Sequence, residues 1–163
     1  MLNKNYLNLI ERLEEISHLN GVMSTIGWDQ EVMMPPGAAE ARARQISALA
    51  GIIHERMTDP GIGDCLAALK DEDINTFNAF ERCNIDEACR SYELELKIPK
   101  RLVQELAELG SRGQPVWAKA RQENKFSDFA PIIKRFLALK KEWASYAFPE
   151  HNAYDANISL FER

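Results

Sequence analysis

Three cysteines are spread over 163 residues, at positions 65, 83 and 89, and no two of them form a C-x-x-C pair. An odd count without that spacing excludes a fully paired disulfide framework, a zinc ribbon and a thioredoxin-type redox motif. Cys65, Cys83 and Cys89 are expected to be buried or half-buried free thiols of a reducing compartment, Cys83 and Cys89 on different sides of one helix. No apolar run approaches the ~20 residues of a membrane span. The start of the chain lacks the apolar segment of a signal peptide, so a cytoplasmic location is expected. Positive charge is short as well: the formal net charge is −5 and the pI about 5.3, which argues against nucleic-acid or anionic-membrane partners. There is no G-x-S-x-G elbow, P-loop or dinucleotide fingerprint, and Gly110-Ser111-Arg112-Gly113 matches none of them. No segment reads as a strand pair or a repeat.

What fills the chain is helical periodicity. Leu2, Tyr6, Leu9, Leu13, Ile16, Leu19, Met23 and Ile26 recur at steps of three and four with charges between them, which predicts one long amphipathic helix. Gly21 lies inside it, so either another backbone passes close there or the helix bends. Pro35-Pro36-Gly37 ends the segment, because the residue before a proline is pushed out of the α region. The next helix takes Pro36 in its first turn and runs through Ala38, Ala41, Ala43, Ile46, Leu49, Ile53 and Met57, small-sided in its first half. Asp59-Pro60-Gly61 breaks it before a short helix around Ile62, Leu66 and Leu69. A fourth opens at the acidic turn Asp71-Glu72-Asp73 and stops at Pro99. A fifth runs from Lys100 to Ala120, with a kink or break expected near Gly113 because Gly110, Gly113 and Pro115 interrupt it. A sixth is capped by Asp128, with Pro131 in its first turn. The expectation is an all-α, bundle-like single domain over 1–163, with about six mostly antiparallel amphipathic helices. Its parts are the first helix and a Trp-Asp-Gln corner (1–34), a helical body (36–147) and an irregular tail (148–163).

Chemistry-bearing patterns are incomplete. His54-Glu55 begins the H-E-x-x-H helix of zinc peptidases, but Thr58 occupies the place of the second imidazole. A half-exposed histidine at a helix end is the plainer expectation. Glu15-Ile16-Ser17-His18 matches the Glu-x-x-His of di-iron bundles, but that chemistry needs a second copy and two further glutamates. His18 is therefore expected on a solvated face. His151 and Asp155 are four apart and could meet on one helical turn.

One stretch is specific: Trp28-Asp29-Gln30-Glu31-Val32-Met33-Met34-Pro35-Pro36-Gly37, followed by Glu40, Arg42, Arg44 and Gln45. It resembles the N-terminal signature of the carboxypeptidase Taq family of zinc metallocarboxypeptidases. The likeness continues through Arg90-Ser91-Tyr92 and Pro99, then Trp117-Ala118-Lys119-Ala120-Arg121 with Phe126, Phe129 and Pro131, then Tyr154-Asp155-Ala156 with Glu162. It spans nearly the whole chain but only about the first third of a family member. Lys125 departs from it, standing where an acidic residue is common, and so does the Gly110, Gly113 and Pro115 cluster. The resemblance implies an all-helical fold, a wall beside a peptide groove, and family members that use zinc and work as homodimers. The family's zinc-binding helix, third ligand and substrate-carboxylate arginines match no residue here, so no catalytic residue, metal ligand or cofactor is expected in this chain.

The signature residues Trp28, Asp29, Gln30, Pro35, Pro36, Arg42, Trp117, Arg121, Tyr154 and Asp155 are expected to act structurally. Trp28 would be buried at a corner pinned by the prolines, with Arg42 folding back to Asp29 or Glu31. Two functions follow: a partial homologue of a zinc carboxypeptidase, inactive alone, or a stand-alone helical interaction or dimerisation module. The expected partners are a second copy or the missing C-terminal part of a carboxypeptidase, because helical faces that would pack against the missing part would otherwise stand bare.

Overall fold

The computed structural model describes residues 3–160, except the side chain of Ile74; Leu2 and Glu162 fall outside that range. Its described residues form seven α-helices: α1 Lys4–Val32, α2 Ala39–Met57, α3 Pro60–Lys70, α4 Ala79–Glu95, α5 Lys100–Gln122, α6 Phe126–Ala147 and α7 Ala153–Ile158. Two short 3-10 turns, Pro36–Ala38 and Ile74–Thr76, join α1 to α2 and α3 to α4. The seventh helix lies in the tail read as irregular. Asn152 caps it by accepting from the backbone N–H of Tyr154 and Asp155, each at 3.0 Å.

The starts of the other helices follow from their side chains. Asn3 accepts from the N–H of Asn5 and Tyr6, and Asp59 from that of Gly61 at 2.7 Å, with Pro60 in the first turn. Asn78 and Glu81 form a reciprocal capping box, which starts α4 at Ala79 and satisfies two otherwise orphaned donors. The acidic turn Asp71-Glu72-Asp73 closes α3 instead of opening α4. Asp128 does not cap α6, which begins two residues earlier; its charge lies in the first turn, where the helix dipole favours it.

Helices α1, α2, α5 and α6 run alternately up and down. Glu15 pairs with Arg56 and Asp29 with Arg42 across α1 and α2. Ser47 Oγ donates to the Gln104 carbonyl and Lys100 pairs with Glu55 across α2 and α5. Arg101 pairs with Glu142 and Arg135 with Glu105 across α5 and α6. The α2–α5 contact is close because α2 presents Ala43, Ala50 and Gly51. A Cβ on Gly51 would stand 2.6 Å from Gln104 Nε2, so the small residues of α2 set that spacing.

Two apolar clusters result. The larger joins α1 to α4 through Tyr6, Leu9, Ile16, Ile53, Ile62, Cys65, Leu66, Leu69, Phe77, Ile85 and Ala88. The smaller joins the start of α5 to the end of α6 through Ile98, Leu102, Leu139 and Ala147. Gly21 has no neighbour among the described residues that an added Cβ would meet, which removes the close backbone approach, one of the two alternatives there, and α1 continues through it. Cys65 is buried and Cys89 half-buried, but Cys83 is exposed, contrary to expectation.

Candidate functional site: the signature corner and the α5–α6 turn

Helix α5 does not break at Gly113. A proline inside a helix removes the N–H that would bond to the carbonyl four residues back, which for Pro115 is that of Ser111. Gln30 supplies the missing donor: its Nε2 donates to the Ser111 carbonyl at 2.8 Å. Ser111 Oγ donates in return to Gln30 Oε1 at 2.7 Å. Gln30 is 8% exposed and Ser111 7%, so the exchange is buried and neither amide nor carbonyl is left without a partner. Gly113 has a different task. A Cβ there would lie 3.1 Å from Ile132 Cγ2, so its absence lets α6 close onto α5.

Arg42 folds back to Asp29, as its position suggested. Its guanidinium meets Asp29 Oδ2 at 2.5 Å, donates to the Ile26 carbonyl at 2.8 Å and to Gln45 Oε1 at 3.1 Å. One side chain thus satisfies carbonyl and carboxylate acceptors in the last two turns of α1 and ties them to the first turn of α2. Arg44 only meets Glu40, with both side chains exposed. Pro35 precedes the 3-10 turn in extended conformation and Pro36 opens it.

Trp28 is not buried. It is 59% exposed, and Val32 and Met33 beside it on the end of α1 are as bare. The corner is held by Gln30 and Arg42, while its tryptophan projects outward because residues two apart on a helix face different directions.

The second cluster lies where α5 turns into α6. Asn124 adopts the left-handed conformation with φ 55°. The Lys125 N–H then bonds to the Ala120 carbonyl at 2.8 Å and the Asn124 N–H to that of Arg121 at 3.3 Å. This is a Schellman closure with asparagine in the usual glycine position. It leaves a bowl of about 380 Å³ lined by Trp117, Ala120, Arg121, Asn124, Phe126 and Phe129. The Arg121 guanidinium lies over the Trp117 ring at 5.4 Å. Tyr154 is exposed, and Asp155 accepts from Asn152 Nδ2 at 2.5 Å rather than meeting His151. His151 stacks on Phe148 instead.

His54 departs from the half-exposed position expected of it. It is 7% exposed, with Nε2 3.2 Å from the Glu95 carbonyl and 3.7 Å from its carboxylate. Burial pushes the Glu95 carboxyl above its ordinary range, and the charge of His54 pulls against that rise. His18 is on an exposed face. Among the described residues no three His, Cys, Asp or Glu side chains come together in a way that could hold a metal ion. The described residues do not fit a zinc site: His54 is committed to Glu95 and His151 to an aromatic stack. Sequence reading missed Ser111, Pro115 and Glu95 as partners. The one signal available was a proline inside an unbroken apolar period, which demands a donor from elsewhere.

Comparison with known proteins places this geometry. Residues 8–163 match the sequence profile of the carboxypeptidase Taq (M32) metallopeptidases. Thermostable carboxypeptidase 1 of Thermus thermophilus is 35% identical over 167 residues, covering 96% of this chain and 33% of that protein. The M32 carboxypeptidase of Deinococcus radiodurans superposes with a TM-score of 0.68 at 33% identity, over 91% of this chain and 29% of its own. The crystal structure of BsuCP shares the fold at a TM-score of 0.92 and 24% identity, over 98% of this chain and 32% of its own. The chain spans about a third of the length of the curated relatives it matches. It belongs to the carboxypeptidase Taq (M32) metallopeptidase family.

Proposed function

We propose that these residues form one helical wall of the peptide groove of a zinc carboxypeptidase and do not cleave peptides by themselves. The observation that carries this reading is a well-folded family helix set with large apolar side chains left bare. Trp28, Val32 and Met33 stand out from α1, and Trp117, Phe126, Ile133 and Leu137 from α5 and α6. Such surface on a small protein marks a place that another surface covers. The test pairs elemental analysis with a carboxypeptidase assay on N-blocked dipeptides. The purified chain is expected to hold far less than stoichiometric zinc and to release no amino acid above the rate without protein. Catalytic zinc needs about three fixed protein ligands, so finding about one zinc per chain after dialysis against a weak chelator overturns the reading.

The same bare side chains support a second reading, a helical interaction or dimerisation module whose partner is another copy. Light scattering separates the two: a concentration-independent monomer removes self-association, whereas a two-fold dimer supports it. The exposed thiol of Cys83 is consistent with a reducing, cytoplasmic compartment.

A further inference from the structure

Between Ser17 and Asp29 no residue of α1 is buried; its buried residues are Tyr6, Leu9 and Ile16 on one side of that stretch and Gln30 on the other. The stretch is also weak as helix. Gly21 and Gly27 each lower helix stability about fivefold relative to alanine. Among the described residues an added Cβ would meet nothing within 4 Å at either glycine, so packing does not call for them. Ser24 Oγ and Thr25 Oγ1 donate back to the carbonyls of Asn20 and Gly21, each at 3.0 Å, and compete with the helix bonds that end there. Both ends are nevertheless held. Ile16 lies in the larger apolar cluster, Arg42 holds the Ile26 carbonyl and Asp29, and Ser111 exchanges bonds with Gln30. A segment with a weak middle and fixed ends opens locally, ahead of the whole fold.

The pair Asn20-Gly21 gives such opening a chemical consequence. Asn20 is exposed and is the one asparagine of the sequence that glycine follows. In the closed helix the Gly21 N–H points at the Ser17 carbonyl, away from the Asn20 side chain. Once the turn opens, with no Cβ on Gly21 in the way, its nitrogen reaches the Asn20 side-chain carbonyl. The nitrogen bonds to Asn20 Cγ and gives up its proton, and the side-chain amide leaves as ammonia. Water then opens the cyclic imide at either carbonyl, giving aspartate or isoaspartate. Isoaspartate adds a carbon to the main chain, so the regular ladder of helix bonds cannot be restored across it. We propose that Asn20-Gly21 is a self-modification site gated by local opening of α1, where conversion to isoaspartate limits the lifetime of the fold. The assignment concerns α1 alone and stands apart from the peptidase reading.

The test ages the 163-residue chain in mildly alkaline buffer beside a blocked peptide of residues 17–24 and follows deamidation of Asn20 by peptide mapping and mass spectrometry. The chain is expected to react more slowly than the peptide, yet faster than the peptide rate multiplied by the globally unfolded fraction in the same buffer. Low concentrations of urea raise that fraction steeply because global unfolding exposes much surface; the Asn20 rate should rise far less. Gly27→Ala leaves the reacting pair intact and should slow the reaction about fivefold by stabilising the closed helix, with circular dichroism checking that the fold is kept. The isoaspartate form, isolated by ion exchange, should have less helix and melt below the parent. A rate equal to that of the peptide, a rate equal to the globally unfolded share of it, or a urea dependence that follows global unfolding each overturns the proposal. So does an unchanged rate in Gly27→Ala, or an isoaspartate form that melts like the parent.

Discussion

The four-helix end of the molecule and the α5–α6 hairpin are built from similar apolar contents but finish differently. In α1 to α4 the large side chains converge: Leu9, Ile62, Leu66 and Leu69 lose almost all contact with solvent. Of the large side chains of α5 and α6 only Leu102 and Leu139 do so, while Trp117, Phe126, Ile133 and Leu137 stay outside. The two ends differ in what closes them. The first has α3 and the Phe77 turn folded over the open side of α1 and α2. The second packs α5 on α2 and has the short α7 near its far end, so its other face has no cover among the described residues. Stability should therefore reside at the first end and recognition at the second.

The largest expected effect tests the first half of that statement. Leu9→Ala opens a fully enclosed position, and truncating such a leucine costs about 2–5 kcal/mol. Thermal melting should show a drop of many degrees, and a drop no greater than that of Leu137→Ala would erase the distinction between the two ends.

Next comes the buried exchange that joins them. Gln30→Leu leaves the Ser111 carbonyl without a donor, at a cost of about 1–3 kcal/mol. Pro115→Ala restores an N–H to α5 and with it the intrahelical bond. In the double variant part of the Gln30→Leu loss should return, giving a coupling energy readable in a denaturant double-mutant cycle. Strict additivity would mean that proline and glutamine are unrelated.

Arg42 and Arg44 form a smaller pair. Arg42 keeps a side chain only 16% exposed in contact with Asp29, whereas Arg44 is solvated. Arg42→Ala should lower stability by about 1–3 kcal/mol and Arg44→Ala by less than about 0.5 kcal/mol. Equal melting temperatures would show that the corner does not depend on the ion pair.

The smallest effects belong to the bare tryptophans. Trp28→Ala and Trp117→Ala should each change stability by no more than about 0.5 kcal/mol. Acrylamide should quench both indoles more readily than that of the half-buried Trp143. Loss of a core-like 3 kcal/mol at either position would contradict their exposure.

The helices were legible because periodicity reports which face is apolar, and Tyr6, Leu9 and Ile16 needed no further information. The contact of Arg42 with Asp29 was also legible, since thirteen residues and a proline corner bring the two side chains together. The break that Pro115 suggested is absent, although its local meaning is an interrupted helix. The donor for the freed Ser111 carbonyl lies 81 positions away, beyond any window of sequence. Trp28 was misread because apolar area alone predicts burial, and nothing local shows that the described residues leave it uncovered. His54 was read as half-exposed from its place at a helix end. The end of α4 happens to pass there, which only the fold determines.

The Gln30–Ser111 exchange also bears on how the chain acquires its shape. A helix containing Pro115 has an unsatisfied carbonyl until α1 is in place, and Gln30 leaves the ribosome 81 residues before Ser111. During synthesis the Gln30 amide is therefore hydrated, and α1 to α4 can condense first on their own contacts. Docking of α5 then expels that water and satisfies the amide and the carbonyl in one step. The amide protons on either side of Pro115 should be the last in α5 to gain protection from hydrogen exchange during refolding, and the first to lose it when α1 is loosened.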